Sequence, residues 1–405
     1  RAQKSCVEKR DTGTRHSGGY FVISTIVPSR ITEAREARAM SMEDLAEDIG
    51  VTRQSVSKYE RGIVSPSPEM LQAISFSLGF PAEFFYKIEE NSNAGSSPLF
   101  FRSKSNISKK VKTACRYQIK WTDEIKKQLE EYVDFVERDL PTIDVEYEDL
   151  ISEDIEEMAL SIRKKWGIND DPIGDLIGLL ENQGVIVTQF ATNNYCAFKG
   201  IDAFSCWKDG TPYILYHSTQ KSAVRTRFSI LHELGHLIMH SSIADDDSVK
   251  KEVVDLADTQ ADRFAAAFLL PATSFPKDIR STSLVSLELI KRKWGAAMST
   301  IIRRCETLEL LTENQINYLK RQMTTQKYWH KEPLDDILTV ADPEMLRDAI
   351  YLLVDNKVIT KSAFINASAL PLQDLKCICG LPDEFFDDFN QRKKPALRLI
   401  KNEES

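Results

Sequence analysis

The 405-residue chain contains no run of about 18 apolar residues, which excludes a membrane-spanning helix. The polar start, Arg1 to Gly19, lacks the apolar stretch of a secretory signal, so export is not expected and the cytoplasm is the expected compartment. The first residue is Arg rather than Met, as in a fragment, a processed end or a misplaced start. Cysteine is sparse: the seven are scattered, odd in number and never spaced Cys-x-x-Cys, which argues against a disulfide framework and a zinc knuckle. Cys377 and Cys379, one residue apart, are poorly spaced for metal, so reduced thiols are expected. A net charge of −8 excludes a chain that coats nucleic acid but leaves room for a small DNA-reading module.

Histidine is also scarce, yet three of the six stand in one row at 232, 236 and 240. The stretch Phe228–Met239 reads as a buried helix with His232-Glu233-Leu-Gly-His236 at its centre. Four residues make about one helical turn, so His232 and His236 share a face and can hold one metal ion. Glu233 is too close along the chain to be a good third ligand but can reach a water bound to that metal. A zinc peptidase uses this arrangement, the glutamate taking and returning a proton. The competing reading is a core helix with two satisfied histidines.

The third ligand is expected from a following helix, 253–270. There Asp258 and Asp262 are four apart on one face. Asp258 would complete the metal site with His232 and His236. Asp262 would accept the free ring N–H of a ligand histidine and fix its tautomer. His240 is about 12 Å along the helix from His232, too far for the same ion, so it is expected to be structural or to face substrate. Tyr213, Tyr216, His217, Arg225 and Arg227 are candidates for stabilising an oxyanion, each with packing or surface as its alternative. The expected ion is zinc, with manganese or iron also suited to two histidines and a carboxylate.

Upstream, residues 1–27 read as a flexible arm. From Pro28 the pattern is helical. Ile31, Ala34 and Ala37 mark a first helix. Ser41 with Asp44 caps a second, and Thr52 caps a third over Arg53–Arg61. Pro66 and Pro68 lead into Leu71–Leu78, and Pro81 opens a short fifth helix, Ala82–Tyr86. Residues 28–90 are thus an expected all-α, five-helix unit built around a helix-turn-helix. Thr52, Arg53, Gln54, Ser55 and Lys58 stand at the start and on the exposed side of its third helix. Acids are as plentiful as bases over 30–62, so one copy would gain little from phosphates, and a homodimer on two half-sites would compensate.

Residues 91–148 read as a linker, Asn91–Pro98, followed by a basic run (Lys104, Lys109, Lys110, Lys112, Arg116, Lys120) on a long helix expected to reach Pro141. That run reads as a solvated face or an auxiliary phosphate contact, and the helix as a possible dimer seam. Residues 149–275 read as an α+β domain: two helices (Ile155–Trp166 and Ile173–Glu181), strands at 185–190, 203–207 and 212–216, the metal helix, an acidic loop at 245–247 and the Asp258 helix. Residues 276–332 form an expected helical extension like a helix-turn-helix, and 333–405 a helical C-terminal region. An internal echo links Leu71–Phe85 to Leu372–Phe386; the later copy is more acidic and reads as a packing or protein-contact module.

The residues Leu45-Ala46, Gly50-Val51-Thr52, Gln54-Ser55, Ser57, Tyr59-Glu60-Arg61-Gly62 and Leu78-Gly79 resemble the lambda-repressor/Cro-like (XRE) DNA-binding domain. That resemblance implies that the third helix enters the major groove of a double-stranded operator, where Arg53, Gln54, Ser55 and Lys58 would meet base edges or phosphates, Arg suiting guanine and Gln adenine. The order Pro172-Ile173, Gly184-Val185, Phe204-Ser205, Arg227-Phe228-Ser229, His232–His236, His240, Ala261-Asp262-x-Phe264-Ala265-Ala266 and Leu269-Leu270-Pro271 resembles the ImmA/IrrE metallopeptidase family. It implies a zincin-like fold and a protein substrate of repressor or antitoxin type, cut to relieve repression. The family usually has Glu where this chain has Asp258, which leaves Asp255 as a rival ligand and an inactive site as an alternative. The rival function is a non-proteolytic repressor or antitoxin whose peptidase fold senses or dimerises. A digestive peptidase is disfavoured, since it would have no use for a DNA-binding domain.

Overall fold

The computed structural model describes residues 25–88, 99–103, 107–141, 143, 146–190, 198, 200–217, 222–243 and 249–387; the side chains of Arg102 and Ser103 are not among them. The N-terminal arm up to residue 24, the linker 91–98, Lys104, the acidic loop 245–247 and the end of the tail lie outside the described residues.

The first unit follows its capping signals. It contains α1 (Pro28–Ala37), α2 (Met42–Asp48), α3 (Arg53–Glu60) and α4 (Pro68–Leu78). Ser41 and Asp44 form a reciprocal capping box on α2, and Thr52 and Ser67 cap α3 and α4. The expected fifth helix is instead a 3-10 turn, Ala82–Tyr86, which seats Phe84 and Phe85 in the core. Five residues after Pro81 give one tight turn and no room for an α-helical ladder.

A longer helix, α5 (Lys109–Glu130), packs along α1. It ends eleven residues before Pro141: Tyr132 and Val136 continue its apolar spacing but are 54% and 51% exposed. The chain instead passes tightly by Gly184, where Asp139 N–H donates to the Gln183 carbonyl at 2.9 Å. A Cβ on Gly184, whose φ is +75°, would stand 2.6 Å from the Arg138 Cα, so only glycine admits this crossing. The basic run on α5 turns inward in part. Lys120 pairs with Glu33 at 2.8 Å and Lys110 with Asp44 at 3.7 Å, so these charges meet the acids of the first unit. The apolar face of α5, with Trp121, Ile125 and Leu129, is covered within the chain rather than left for a second copy.

The sheet has four strands in the order β1-β3-β4-β2: β1 (Phe100–Ser103), β2 (Ile186–Phe190), β3 (Ile201–Lys208) and β4 (Thr211–His217). Asp209 and Gly210, both at positive φ, close the two-residue β3–β4 hairpin. β2 runs parallel to β4; β1 runs antiparallel to β3, with Phe100 opposite Ser205 and Phe101 opposite Phe204. The sequence did not announce β1. Both faces of the sheet are buried, which is why β4 shows no polar alternation from Pro212 to Tyr216, all five buried. Tyr213 and Leu215 face the first unit, α5 and the C-terminal helices, whereas Ile214 and Tyr216 face the metal helix.

On that second face lie α6 (Ser152–Lys165), α7 (Leu176–Glu181), α8 (Ala223–Met239) and α9 (Lys251–Leu269), followed by α10 (Leu284–Trp294), α11 (Met298–Thr307) and α12 (Glu313–Thr325). The α7 helix starts three residues later than Ile173, where Asp175 caps it. Lys291, fully buried, is held by Glu332 and Asp335 at 2.8 and 2.6 Å, so the helix-turn-helix-like extension is fastened down. The C-terminal α13 (Met345–Asp355), α14 (Lys361–Ser368) and α15 (Leu372–Cys379) return to the first face. The internal echo is structural. α4 and α15 each end in a left-handed glycine, Gly79 and Gly380, and each leads into a 3-10 turn carrying a Phe-Phe pair. A buried bidentate pair, Arg38 with Asp374, joins α1 to the later copy.

Glu181, buried, accepts the first two N–H groups of the α13 end, from Glu344 and Met345, at about 3.1 Å. Burial pushes its carboxyl up to about 7, against the pull of those N–H groups. A raised folded value means that this group's contribution is full below the ordinary value of 4.5 and is lost as pH rises through about 7. Glu181→Gln is therefore expected to flatten the fall in stability across that window by up to about 3 kcal/mol. Parallel unfolding profiles for parent and variant would refute the assignment.

Candidate metal centre and nucleic-acid interface

The α8 and α9 helices cross at Gly235, where a Cβ would meet Ala261 Cα and Phe264 Cδ1 at 3.2 Å. The absence of a side chain there lets the acids of α9 approach the histidines of α8. One ligand atom from each of His232, His236 and Asp258 lies within 4.8 Å of the others, and no other such group occurs among the described residues. His232 Nε2 and His236 Nε2 are 3.0 Å apart, and Asp258 Oδ1 is 3.9 and 3.5 Å from them. Both imidazoles are buried, whereas Asp258 is 46% exposed, which leaves the site open on the carboxylate side. Asp255, the rival, is exposed one turn away and is not part of the group.

The Nε2 atoms of the two histidines face one another, and an imidazole that binds metal through Nε2 must carry its proton on Nδ1. Both histidines have a partner for that proton. His232 Nδ1 lies 2.8 Å from Asp262 Oδ1. His236 Nδ1 lies 2.9 Å from His240 Nδ1, His240 Nε2 lies 2.9 Å from Gln260 Oε1, and Gln260 Nε2 donates to the Tyr147 carbonyl at 2.7 Å. The relay works only if His240 is neutral. Burial and the neighbouring His236 hold it at about 3, so it can accept from His236 and donate to Gln260. The donor set thus fits a zinc-sized cation with two nitrogens and one oxygen.

Glu233 is fully buried beside this group, and Ser205 Oγ of β3 donates to its Oε2 at 2.6 Å. Ser205, Gln260 and Phe100 were not singled out from sequence as parts of the site. Phe100 lies flat on His236, ring centroids 4.7 Å apart and planes within 5°. Arg303, exposed on α11, reaches Asp262 at 3.6 Å. A cleft of about 600 Å³ opens beside Asp262, with Arg225, Ser229, Arg263, Arg303 and Lys320 on its walls.

The oxyanion candidates separate. Tyr213 points to the opposite face and donates to Asp123. Arg227 donates to the carbonyls of Gly174 and Ile173 and is spent on the fold. Tyr216 is held against Gln189, and His217 against the Phe190 ring. Arg225 alone of the five lines the cleft, where it donates to the Trp329 carbonyl.

On the first unit, α3 displays Arg53, Gln54 and Lys58 to solvent. Arg53 rests on Glu43 at 2.5 Å, both exposed, a pairing that a phosphate or base edge can replace at small cost. Thr52 and Ser55 are bonded to each other and to the α3 N-terminus, so they shape that end as well as expose it. Val56 beneath is fully buried, on a helix that packs against both α1 and α2.

Residues 31–85 match the helix-turn-helix family, and 195–306 match the IrrE N-terminal-like domain. A transcriptional regulator in the ATPase CF(0) region of Rhodospirillum rubrum, itself uncharacterized, is 31% identical over 93 residues, 23% of this chain and 82% of that protein. The chain belongs to the helix-turn-helix transcriptional regulators of XRE type. Uncharacterized HTH-type transcriptional regulators of Sinorhizobium medicae and Rhizobium meliloti are each 38% identical over 72 residues, 18% of this regulator. The regulator spans about half (52%) of the length of those two relatives. It joins a DNA-binding helix-turn-helix to an IrrE-like domain, and no helix among its described residues is long and apolar enough to cross a membrane.

Proposed function

We propose that this regulator is a metal-dependent endopeptidase that acts on a repressor or antitoxin-like protein and reads an operator through α3. The observation that carries the proposal is the convergence of His232, His236 and Asp258 beside a buried Glu233. Zinc bound there would acidify a water and polarise the scissile carbonyl. His232 and His236 present bare Nε2 atoms, held in that tautomer by Asp262 and by the His240–Gln260 relay. Glu233 takes a proton from the attacking water and returns it to the leaving amine. Ser205 holds that carboxylate in place through its donated hydrogen bond, so the proton moves over a fixed distance. The half-open carboxylate side and the adjoining cleft give an extended polypeptide a way in. The resemblance to ImmA/IrrE proteins supplies the substrate class.

The test is co-expression of the regulator, or its Glu233→Gln variant, with the product of the neighbouring gene. A fragment made by the parent, with yield reduced at least about a hundredfold in the variant, is the expected result. Equal fragments from both, or none from the parent while operator binding is intact, would favour the rival: a repressor with a silent peptidase fold. The shorter, half-exposed Asp258 in place of Glu is the feature that favours that rival.

A further inference from the structure

The strand nearest the catalytic carboxylate is β3, since its Ser205 holds Glu233 at 2.6 Å. One side of β3 pairs with β4. The other side is an edge from which an extended peptide could place its backbone beside Glu233, and peptides commonly bind by adding a strand to such an edge. This chain's own β1 occupies that edge, antiparallel, with Phe100 opposite Ser205.

We propose that β1 is an intramolecular occupant of the substrate strand's place, gating a site that takes extended segments bearing an aromatic residue over His236. The inference takes the purpose of the site from the peptidase reading, but its geometry stands apart from catalysis. β1 fills both parts of the position. Its backbone takes the β3 ladder, and the Phe100 ring, 8% exposed, covers His236 and approaches His240 at 6.1 Å. The hold is short: four residues, with a register shift between Arg102 and Ser103. Short strands of this kind gain little on their own, so tethering does most of the holding. A tethered strand competes as though present at about millimolar concentration. A free segment therefore enters only if it makes further contacts or if β1 is withdrawn. Withdrawal has a natural handle. Along the chain β1 comes between the DNA-reading unit and α5, and α5 grips that unit through Glu33, which accepts from Lys120 and Trp121. Motion of the DNA-reading unit on its operator can thus be felt at the peptidase edge.

The test uses the full chain in a Glu233→Gln background, with zinc added, so that neither probe nor β1 is cut. The probe is a fluorescein-labelled peptide with the sequence of residues 99–104. Apparent affinity scales with the fraction of molecules whose edge is free. Phe100→Ala, which strips the ring from His236, is expected to bind the probe at least about tenfold more tightly than the Phe100-intact chain. Equal affinities, or no binding to either, would overturn the proposal. A second measurement needs no change at Phe100. Saturating probe is expected to speed hydrogen exchange of the β1 amides while α8 stays protected, and unaltered β1 exchange would overturn it. If the probe displaces β1 but the chain with Glu233 restored cuts nothing, the gated edge stands and the peptidase reading fails.

Discussion

Asp258→Ala is expected to leave the regulator folded and to lower its zinc affinity by about a hundredfold or more. Losing a partner one shell further out already costs 10–100-fold, and this change removes a direct ligand. The fold should tolerate it, because Asp258 is 46% exposed and its ion-pair partners are the two histidines of the site itself. Two histidines would remain, too few to close a zinc site that keeps one position for water. Asp258→Glu should retain the metal, since the added methylene lengthens the reach from an open side. Asp255→Ala should change nothing, because that carboxylate is outside the cluster. Zinc content after dialysis against a chelator, measured for the three variants, decides the matter. Full retention in Asp258→Ala would sink the ligand assignment.

Glu33→Ala should cost about 3–5 kcal/mol, the range for breaking a buried ion pair from one side. Glu33 is 1% exposed and its two oxygens serve three donors: Trp121 Nε1 at 2.7 Å, Arg30 Nη1 at 2.8 Å and Lys120 Nζ at 2.8 Å. Alanine would strand the buried Arg30 charge and the Trp121 N–H, and neither can turn to water without undoing the α1–α5 contact. Removing both charges should cost less than removing one, so Glu33→Leu with Arg30→Met is expected to recover part of the loss. Denaturant unfolding followed at Trp121 reads the difference. A loss under about 1 kcal/mol would mean that water reaches the pocket and the carboxylate is not holding α5.

The parts legible in the sequence are those written by neighbours in the chain. Ser41 with Asp44 and Thr52 announce their helices because a cap bonds within three residues. His232-Glu233-x-x-His236 announces a shared helix face for the same reason. The failures are non-local. Tyr132 and Val136 keep the helical period, but about half of each stays exposed, and the chain leaves the helix to pass Gly184. β1 escaped notice because Phe100 and Phe101 are both apolar, each serving a different face, and its partner lies a hundred residues on. The lysines of α5 were legible as charges, but the acids that meet two of them stand on α1 and α2. The choice between Asp258 and Asp255 turns on how closely α9 crosses α8, which Gly235 sets without being adjacent to either.

The sheet buried on both faces has a practical consequence for dissection. Cutting the chain near residue 88 to isolate the IrrE-like half would strip the cover from Trp121 and leave Arg38's partner, Asp374, a bare carboxylate on a freshly exposed apolar wall. Such a truncation should be sticky and misleading. An inert result from it would report on the wound rather than on Glu233, so point changes in the whole chain are the sounder instrument.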